Sequence, residues 1–332
     1  MKLARNDPSA AATQVLFAAL AGNIGVALVK LGAFAITRST AMLTEAIHSF
    51  VDTINQLLLL IGQNRAARAP DDTHPFGYGM EIYFWGFIVA LMIFMVGGAL
   101  SIWQGFARVV RPVPIERPWV NLIVLSAAAV FEGASFRVAY REFRNIVRGR
   151  RFDGRPVPLW RFLSISKDPG LYTTLLEDSA ALAGLGLAAA GTVGAGWLGL
   201  AWSDGAASMA IGALLVAVAL FMANETRSLI AGEAAAPPIV EAARAAIDGD
   251  PRVARIVDLA SLQLGPRNIL LAVTLTFRDG LSGGEVQQAV DDLVARARGA
   301  DPRICDVFIR PCSAGAVVTA TATPQRAVQR LQ

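Results

Sequence analysis

Apolar residues in this 332-residue chain fall into six long blocks rather than the short alternations of a soluble core. A helix that crosses a bilayer needs about 20 mostly apolar residues. On that measure the blocks predict helical segments at about 12–37, 40–63, 82–103, 119–138, 171–198 and 206–223. Segment 1 is interrupted only by Asn23 and Lys30, and segment 3 carries no charge. Segment 4 holds Glu132 and Arg137 near its end, segment 2 is polar in its first half, and segment 5 opens with Glu177 and Asp178. The first block is too long for a cleavable signal and has no A-x-A-like end, so it reads as a true span.

Beyond Glu233 the periodicity shortens. Pro237-Pro238 starts a helical pattern to about Ile247, and 256–264 and 269–277 read as strands joined by the turn Gly265-Pro266-Arg267-Asn268. The second strand alternates Ile269, Leu271, Val273, Leu275 and Phe277. Gly283-Gly284 precedes an amphipathic helix with its apolar face on Val286, Ala289, Val290, Leu293, Val294 and Ala297. A third strand follows at 307–309. The fold class expected is therefore an α-helical membrane protein of six transmembrane helices with a small C-terminal α+β, ferredoxin-like cytosolic domain in α-β-β-α-β order. The boundaries expected are 1–232 for the membrane domain, 233–315 for the cytosolic domain and 316–332 for a loose tail.

Composition agrees with this pattern. The chain is 54% hydrophobic and 17% charged, with mean hydropathy +0.48, against about 25% charged in soluble domains. Its net charge of +4 would raise nucleic acid as a partner in a soluble protein. Here the positive residues sit between apolar blocks, where they set orientation and no nucleic acid is expected. Arg141, Arg144, Arg148, Arg150, Arg151, Arg155, Arg161 and Lys167 crowd the segment 4–5 loop. Lys2 and Arg5 at the start and Arg65 and Arg68 in the segment 2–3 loop share its side, which is read as cytoplasmic. The expectation is a multi-pass protein of the cell inner (plasma) membrane with both termini cytoplasmic. The two cysteines, Cys305 and Cys312, form no C-x-x-C motif and suit a reduced compartment, with Cys312 read as a buried apolar side chain.

Ionisable groups are costly in a bilayer core, and those that persist face the bundle interior and act there. Segment 2 reads Thr44-Glu45-Ala46-Ile47-His48-Ser49-Phe50-Val51-Asp52. On a helix His48 and Asp52 lie about 40° apart around the axis and point the same way, with Glu45 one turn earlier. An imidazole nitrogen beside a carboxylate suits a divalent transition metal; a hydrogen-bonded structural pair between helices is the alternative. In segment 5, Glu177 and Asp178 differ by about 100°, so one is expected to ligate while the other caps or faces water, with Asp178 ranked first.

With these residues in view the chain resembles the cation diffusion facilitators, a family of zinc, cobalt, iron and manganese exporters that work as proton antiporters. The resemblance rests on the six spans, His48-x-x-x-Asp52, the loop Asp72-Thr73-His74-Pro75-Phe76-Gly77-Tyr78-Gly79, and the α-β-β-α-β domain. Asp204-Gly205 before segment 6 and Glu225-Thr226-Arg227-Ser228-Leu229-Ile230-Ala231-Gly232-Glu233 after it are similar to a bacterial and mitochondrial branch. The resemblance implies a transport site shared by segments 2 and 5. Where the family has His or Asp four residues before its segment 5 Asp, this chain has Thr174. The implied site is then His48, Asp52 and Asp178, completed by Thr174, Glu177, Glu45 or water. One nitrogen among oxygens is a harder donor set than the two-His version and admits Mn²⁺ or Fe²⁺ beside Zn²⁺. The second site that the family often carries in the segment 2–3 loop is reduced to Asp71 and His74, because Tyr78 replaces its later His. A loop-ordering role for these two stands beside weak metal binding. The chain has two histidines in all, so no histidine cluster exists in the C-terminal domain, where Arg310 and Cys312 occupy the family's His-x-Asp.

The function expected is secondary transport of divalent transition-metal cations out of the cytoplasm. Zn²⁺ is first, Mn²⁺, Fe²⁺ or Co²⁺ are alternatives, and protons are the counter-ion. No prosthetic group and no enzyme activity are expected: the chain has neither a G-x-x-x-x-G-K-[ST] loop nor H-E-x-x-H. The bilayer and a homodimer formed through the C-terminal domain are the other expected partners. The alternative is a transporter fold with degenerate sites, acting as a metal-binding or regulatory membrane protein.

Overall fold

The computed structural model describes residues 8–147, 151–152, 155–156 and 167–313. Six long helices are present among them: α1 (Pro8–Thr37), α2 (Thr40–Ala66), α3 (Glu81–Val110), α4 (Pro118–Val147), α5 (Pro169–Gly196) and α6 (Ser203–Ile230). Five of the six contain their expected segments, extended at one or both ends by turns that a hydropathy threshold trims; α5 starts two residues before the expected 171 and stops two short of 198. Among the described residues α3, α4, α5 and α6 are apolar and long enough to cross a membrane. The excess of polar residues in α2 keeps that helix below the measure, and the described side chains of α1 cover only Asn23–Thr37. The bilayer-facing sides are legible from exposed apolar rows, such as Phe84, Leu91, Met95, Trp103, Phe106 and Val110 on α3.

The chain divides into two compact units, one running through Arg68 and from Glu81 to Ser228, the other formed by Ala69–Met80 and the residues from Leu229 onward. Within the helical unit, small residues set the spacing of α3 against α6. A Cβ on Gly105 would stand 2.7 Å from the Gly205 carbonyl oxygen, and one on Gly212 would stand 2.8 Å from that of Gly98. Two glycines seven residues apart on each helix therefore let the backbones touch, as small residues do in membrane bundles. Beside this contact α3 widens into a π-helical turn at Ile93–Ala99, and Gly98 lies against Val216.

The second unit has the expected order: α7 (Pro237–Asp248), β1 (Val253–Gly265), β2 (Asn268–Phe277), α8 (Gly283–Ala300) and β3 (Ile304–Pro311). β1 pairs antiparallel with β2, and β2 pairs parallel with β3. Ile269, Leu271, Val273 and Leu275 are fully buried against Ile247, Leu293 and Ala297, so the alternating side of β2 forms the core with α7 and α8. α8 begins with a reciprocal capping box between Ser282 and Glu285. The loop before α3 belongs to this unit: Gly79 lies so close to the Leu264 carbonyl oxygen that no Cβ would fit. Cys305 is exposed and Cys312 half-buried rather than buried, because Cys312 lies just past the end of β3 with its amide donated to the Leu275 carbonyl. The expected tail at 316–332, Lys2, Arg5, and Arg148, Arg150 and Arg161 of the basic loop lie outside the described residues.

Candidate metal centre

The polar first half of α2 is consumed mainly in joining helices. Ser39 caps α2 by accepting from the Met42 amide at 3.2 Å. Asp204 at the start of α6 is wholly buried, and it accepts from the Ser39 hydroxyl and the Thr40 amide, each at 2.5 Å. A helix start away from water leaves amides unpaired, and a carboxylate there satisfies them and the positive end of the helix dipole. One turn later the Thr44 hydroxyl lies 2.6 Å from that of Ser208 on α6.

Glu45 does not stand open beside His48. The fully buried Lys30 of α1 donates to Glu45 Oε2 at 3.1 Å and to Ser49 Oγ at 2.8 Å. The one charge inside segment 1 and the first acid of segment 2 are thus partners, a pairing that hydropathy could not reveal. A Cβ on Gly184 of α5 would stand 2.6 Å from Glu45 Oε1, so α5 passes directly over this ion pair.

His48 and Asp52 face each other as the i, i+4 spacing predicts, with His48 Nδ1 3.5 Å from Asp52 Oδ1. His48 is 2% exposed, and neither ring nitrogen has a hydrogen-bond partner. Buried polar atoms are nearly always satisfied, which singles out His48 as a candidate ligand.

On α5, neither acid faces water. Glu177 and Asp178 are 8% and 9% exposed, and their 100° separation turns them to different neighbours. Glu177 Oε1 accepts from Asn55 Nδ2 of α2 at 2.7 Å. Asp178 Oδ2 accepts from the Ser135 hydroxyl of α4 at 2.8 Å. Thr174 is exposed, and its hydroxyl is donated to the Gly170 carbonyl at 2.9 Å. Glu132 of α4, not chosen from the sequence as a site residue, is partly buried three positions before Ser135, which reaches Asp178. Its sequence signal was a carboxylate inside an apolar span. Among the described residues no three His, Cys, Asp or Glu side chains converge on one metal position.

In the loop before α3, Asp71 Oδ1 accepts from the amides of Thr73 and His74 at 3.0 and 2.8 Å, and Oδ2 accepts from the Tyr78 hydroxyl at 2.6 Å. The Tyr78 hydroxyl, followed by the His74 amide, holds the Asp71 carboxyl below its usual range. His74 Nδ1 is 3.8 Å from Asp71 Oδ1, and its ring lies 4.0 Å from that of Tyr78. Asp71 is thus engaged in ordering the loop, with Tyr78 holding its second carboxylate oxygen.

A model of the cation efflux transmembrane domain matches residues 16–231. The chain is 32% identical over 248 residues to the mitochondrial proton-coupled zinc antiporter SLC30A9 of Xenopus laevis, covering 75% of this chain and 44% of that protein. It is 31% identical over 236 residues to the human protein of that name, covering 71% and 41%. With metal tolerance protein C4 of Arabidopsis thaliana the identity is 30% over 257 residues, covering 77% and 55%. The chain spans about half the length of these relatives. Relatives named as mitochondrial overturn the expected plasma-membrane address, and with it the assignment of both termini to the cytoplasm. Charge asymmetry orients a chain in its membrane but does not identify which membrane.

Proposed function

The chain belongs to the cation efflux family, a transporter family and not an enzyme family, and from that premise we propose that it is a secondary transporter of divalent transition-metal cations, Zn²⁺ first, exchanging them for protons. The observation that carries this reading is His48, buried with two nitrogens that have no hydrogen-bond partner and 3.5 Å from Asp52. All six long helices would span, with α2 sheltered by its neighbours. The names of the relatives support zinc as cargo, proton coupling and a mitochondrial membrane as the setting. A homodimer through the C-terminal domain completes the proposal.

The chemistry follows from competition. A metal ion is held by neutral imidazole and ionised carboxylates, so each ion bound displaces protons from the same groups. His48, Asp52 and Asp178 are the donors in this reading, with Glu177 brought in from its Asn55 partner. Exposure of the site alternately to either side, as helix pairs rock, would convert that competition into exchange. Export would run from the side of the basic loop. The test is metal-stimulated proton movement in proteoliposomes under an imposed pH gradient, with Zn²⁺, Mn²⁺, Fe²⁺, Co²⁺ and Cd²⁺ offered separately. His48→Ala should abolish both fluxes; a His48→Ala protein that moves metal and protons like the parent would overturn the proposal.

A further inference from the structure

Three arginines gather at one end of the helical unit. Arg38 follows α1, Arg108 lies in the last turn of α3, and Arg111 follows that helix. These ends are on the side opposite the basic loop between α4 and α5, where charge asymmetry calls for few positive residues. All three line one open cavity of about 420 Å³ between the ends of α1 and α3 and the start of α2, within the size range of small-ligand sites. A single carboxylate answers this charge. Arg108 Nε is 4.0 Å from Asp204 Oδ2, and Asp204 is already bonded to Ser39 and Thr40. Arg38 and Arg111 are exposed, and among the described residues neither forms an ion pair. Glu116, whose amide is donated to the Thr37 carbonyl, pairs with neither of them.

The lining also holds polar atoms in want of a partner. Arg108 Nε and Gln104 Oε1 are buried with no hydrogen-bond partner among the described residues. Buried polar groups ordinarily have one, so the cavity offers a donor to an anion and an acceptor to a hydroxyl. The Arg38 backbone is held left-handed, at φ 55°, which is uncommon for a residue with a side chain. Its carbonyl accepts from Arg108 Nη2, and that bond ties the end of α1 to α3. The rest of the wall is apolar and includes Phe34 and Trp103. Trp103 is 67% exposed and belongs to the bilayer-facing row of α3 that ends at Val110 beside Arg111. Tryptophan at such a level marks the lipid–water boundary. A free anion would use the arginines and leave this wall wet; a lipid uses both.

We propose that this cavity binds the headgroup of an anionic phospholipid: Arg38, Arg108 and Arg111 hold the phosphate, Gln104 accepts from a headgroup hydroxyl, and an acyl chain lies along Phe34 and Trp103. Guanidinium groups suit phosphate because they present paired N–H donors, and basic pockets between membrane helices hold such headgroups. The site is built from residues that the transport reading does not use.

The test is native mass spectrometry of the purified full chain in neutral detergent, titrated with phosphatidylglycerol, phosphatidylcholine or glycerol 3-phosphate. The parent should retain one phosphatidylglycerol per chain, with phosphatidylcholine at least fivefold weaker and glycerol 3-phosphate not retained. Arg38→Gln and Arg111→Gln should each weaken phosphatidylglycerol about fivefold, the worth of one cation near a charged membrane surface. Arg117→Gln removes an equal charge at the same end but outside the cavity, and should change it less than twofold. Phosphatidylcholine binding should be the same in every variant, which separates loss of the site from failure to fold. If the parent does not distinguish the two lipids, or if Arg117→Gln weakens phosphatidylglycerol as much as the cavity variants do, the inference is wrong. Glycerol 3-phosphate bound as tightly as phosphatidylglycerol would assign the cavity to a soluble phosphate and overturn the lipid. Equal loss of both lipids in the cavity variants would mark a structural role and overturn it as well.

Discussion

Removing Lys30 tests whether the ion pair joining α1 to α2 is a structural tie. In Lys30→Met the stem volume is largely kept and the charge is lost, so Glu45 remains buried with no cation. Both side chains are fully buried, 3.1 Å apart. Breaking one partner of such a pair costs about 3–5 kcal/mol, whereas removing both charges together is often near neutral. At about 2–4 °C per kcal/mol for a unit of this size, the single variant should melt on the order of 10 °C lower. The double variant Lys30→Met/Glu45→Gln should recover most of that. The assay is thermal unfolding in detergent followed by intrinsic tryptophan fluorescence, since Trp85, Trp103, Trp119, Trp197 and Trp202 all lie in the helical unit. A single variant within 2 °C of the parent, or a double variant no better than the single, would refute the reasoning. An interaction energy under about 0.5 kcal/mol in the cycle is what independent sites give.

Two further predictions concern packing and pH. Gly205→Ala would put a Cβ 2.8 Å from the Gly105 carbonyl oxygen and should destabilise the bundle by about 1–3 kcal/mol. Gly186→Ala, which meets nothing within 4 Å, should be neutral or gain up to about 1 kcal/mol from helix propensity; thermal shift assays on both variants check the contrast. In the second unit, Arg252 grips the buried Asp250 through two hydrogen bonds and, helped by Arg296, holds its carboxyl at about 2 against an ordinary 3.8. A depressed folded value means that the unfolded chain takes up the proton first. The stabilisation is therefore complete above about 3.8 and lost as pH falls through about 2. Hydrogen exchange of α7 and β1 in the full chain should accelerate over that window, and Asp250→Asn should flatten the change.

The candidate site was half legible. His48 and Asp52 announce themselves because i, i+4 spacing on a helix guarantees a shared face, whatever surrounds it. Glu45 had the same local credentials, yet Lys30, fifteen residues earlier on another helix, takes it. Thr174 gives its hydroxyl to the Gly170 carbonyl of its own helix. Glu177 and Asp178 were read as rivals for one inward face, but α5 is flanked by α2 and α4 and both acids find interior partners. Glu132 stood in plain view as a charge within an apolar run; nothing along the chain says which neighbour that charge meets.

The sequence by itself determined the six long helices, the α-β-β-α-β domain and the alternating buried side of β2, since hydrophobic periodicity acts within one element and needs no knowledge of its neighbours. Only the tertiary structure decided which polar side chains meet. Lys30 with Glu45, Asp204 with the start of α2, and Ser135 with Asp178 are contacts between elements. Their energetics depend on burial and distance, and those quantities exist only once the helices have packed.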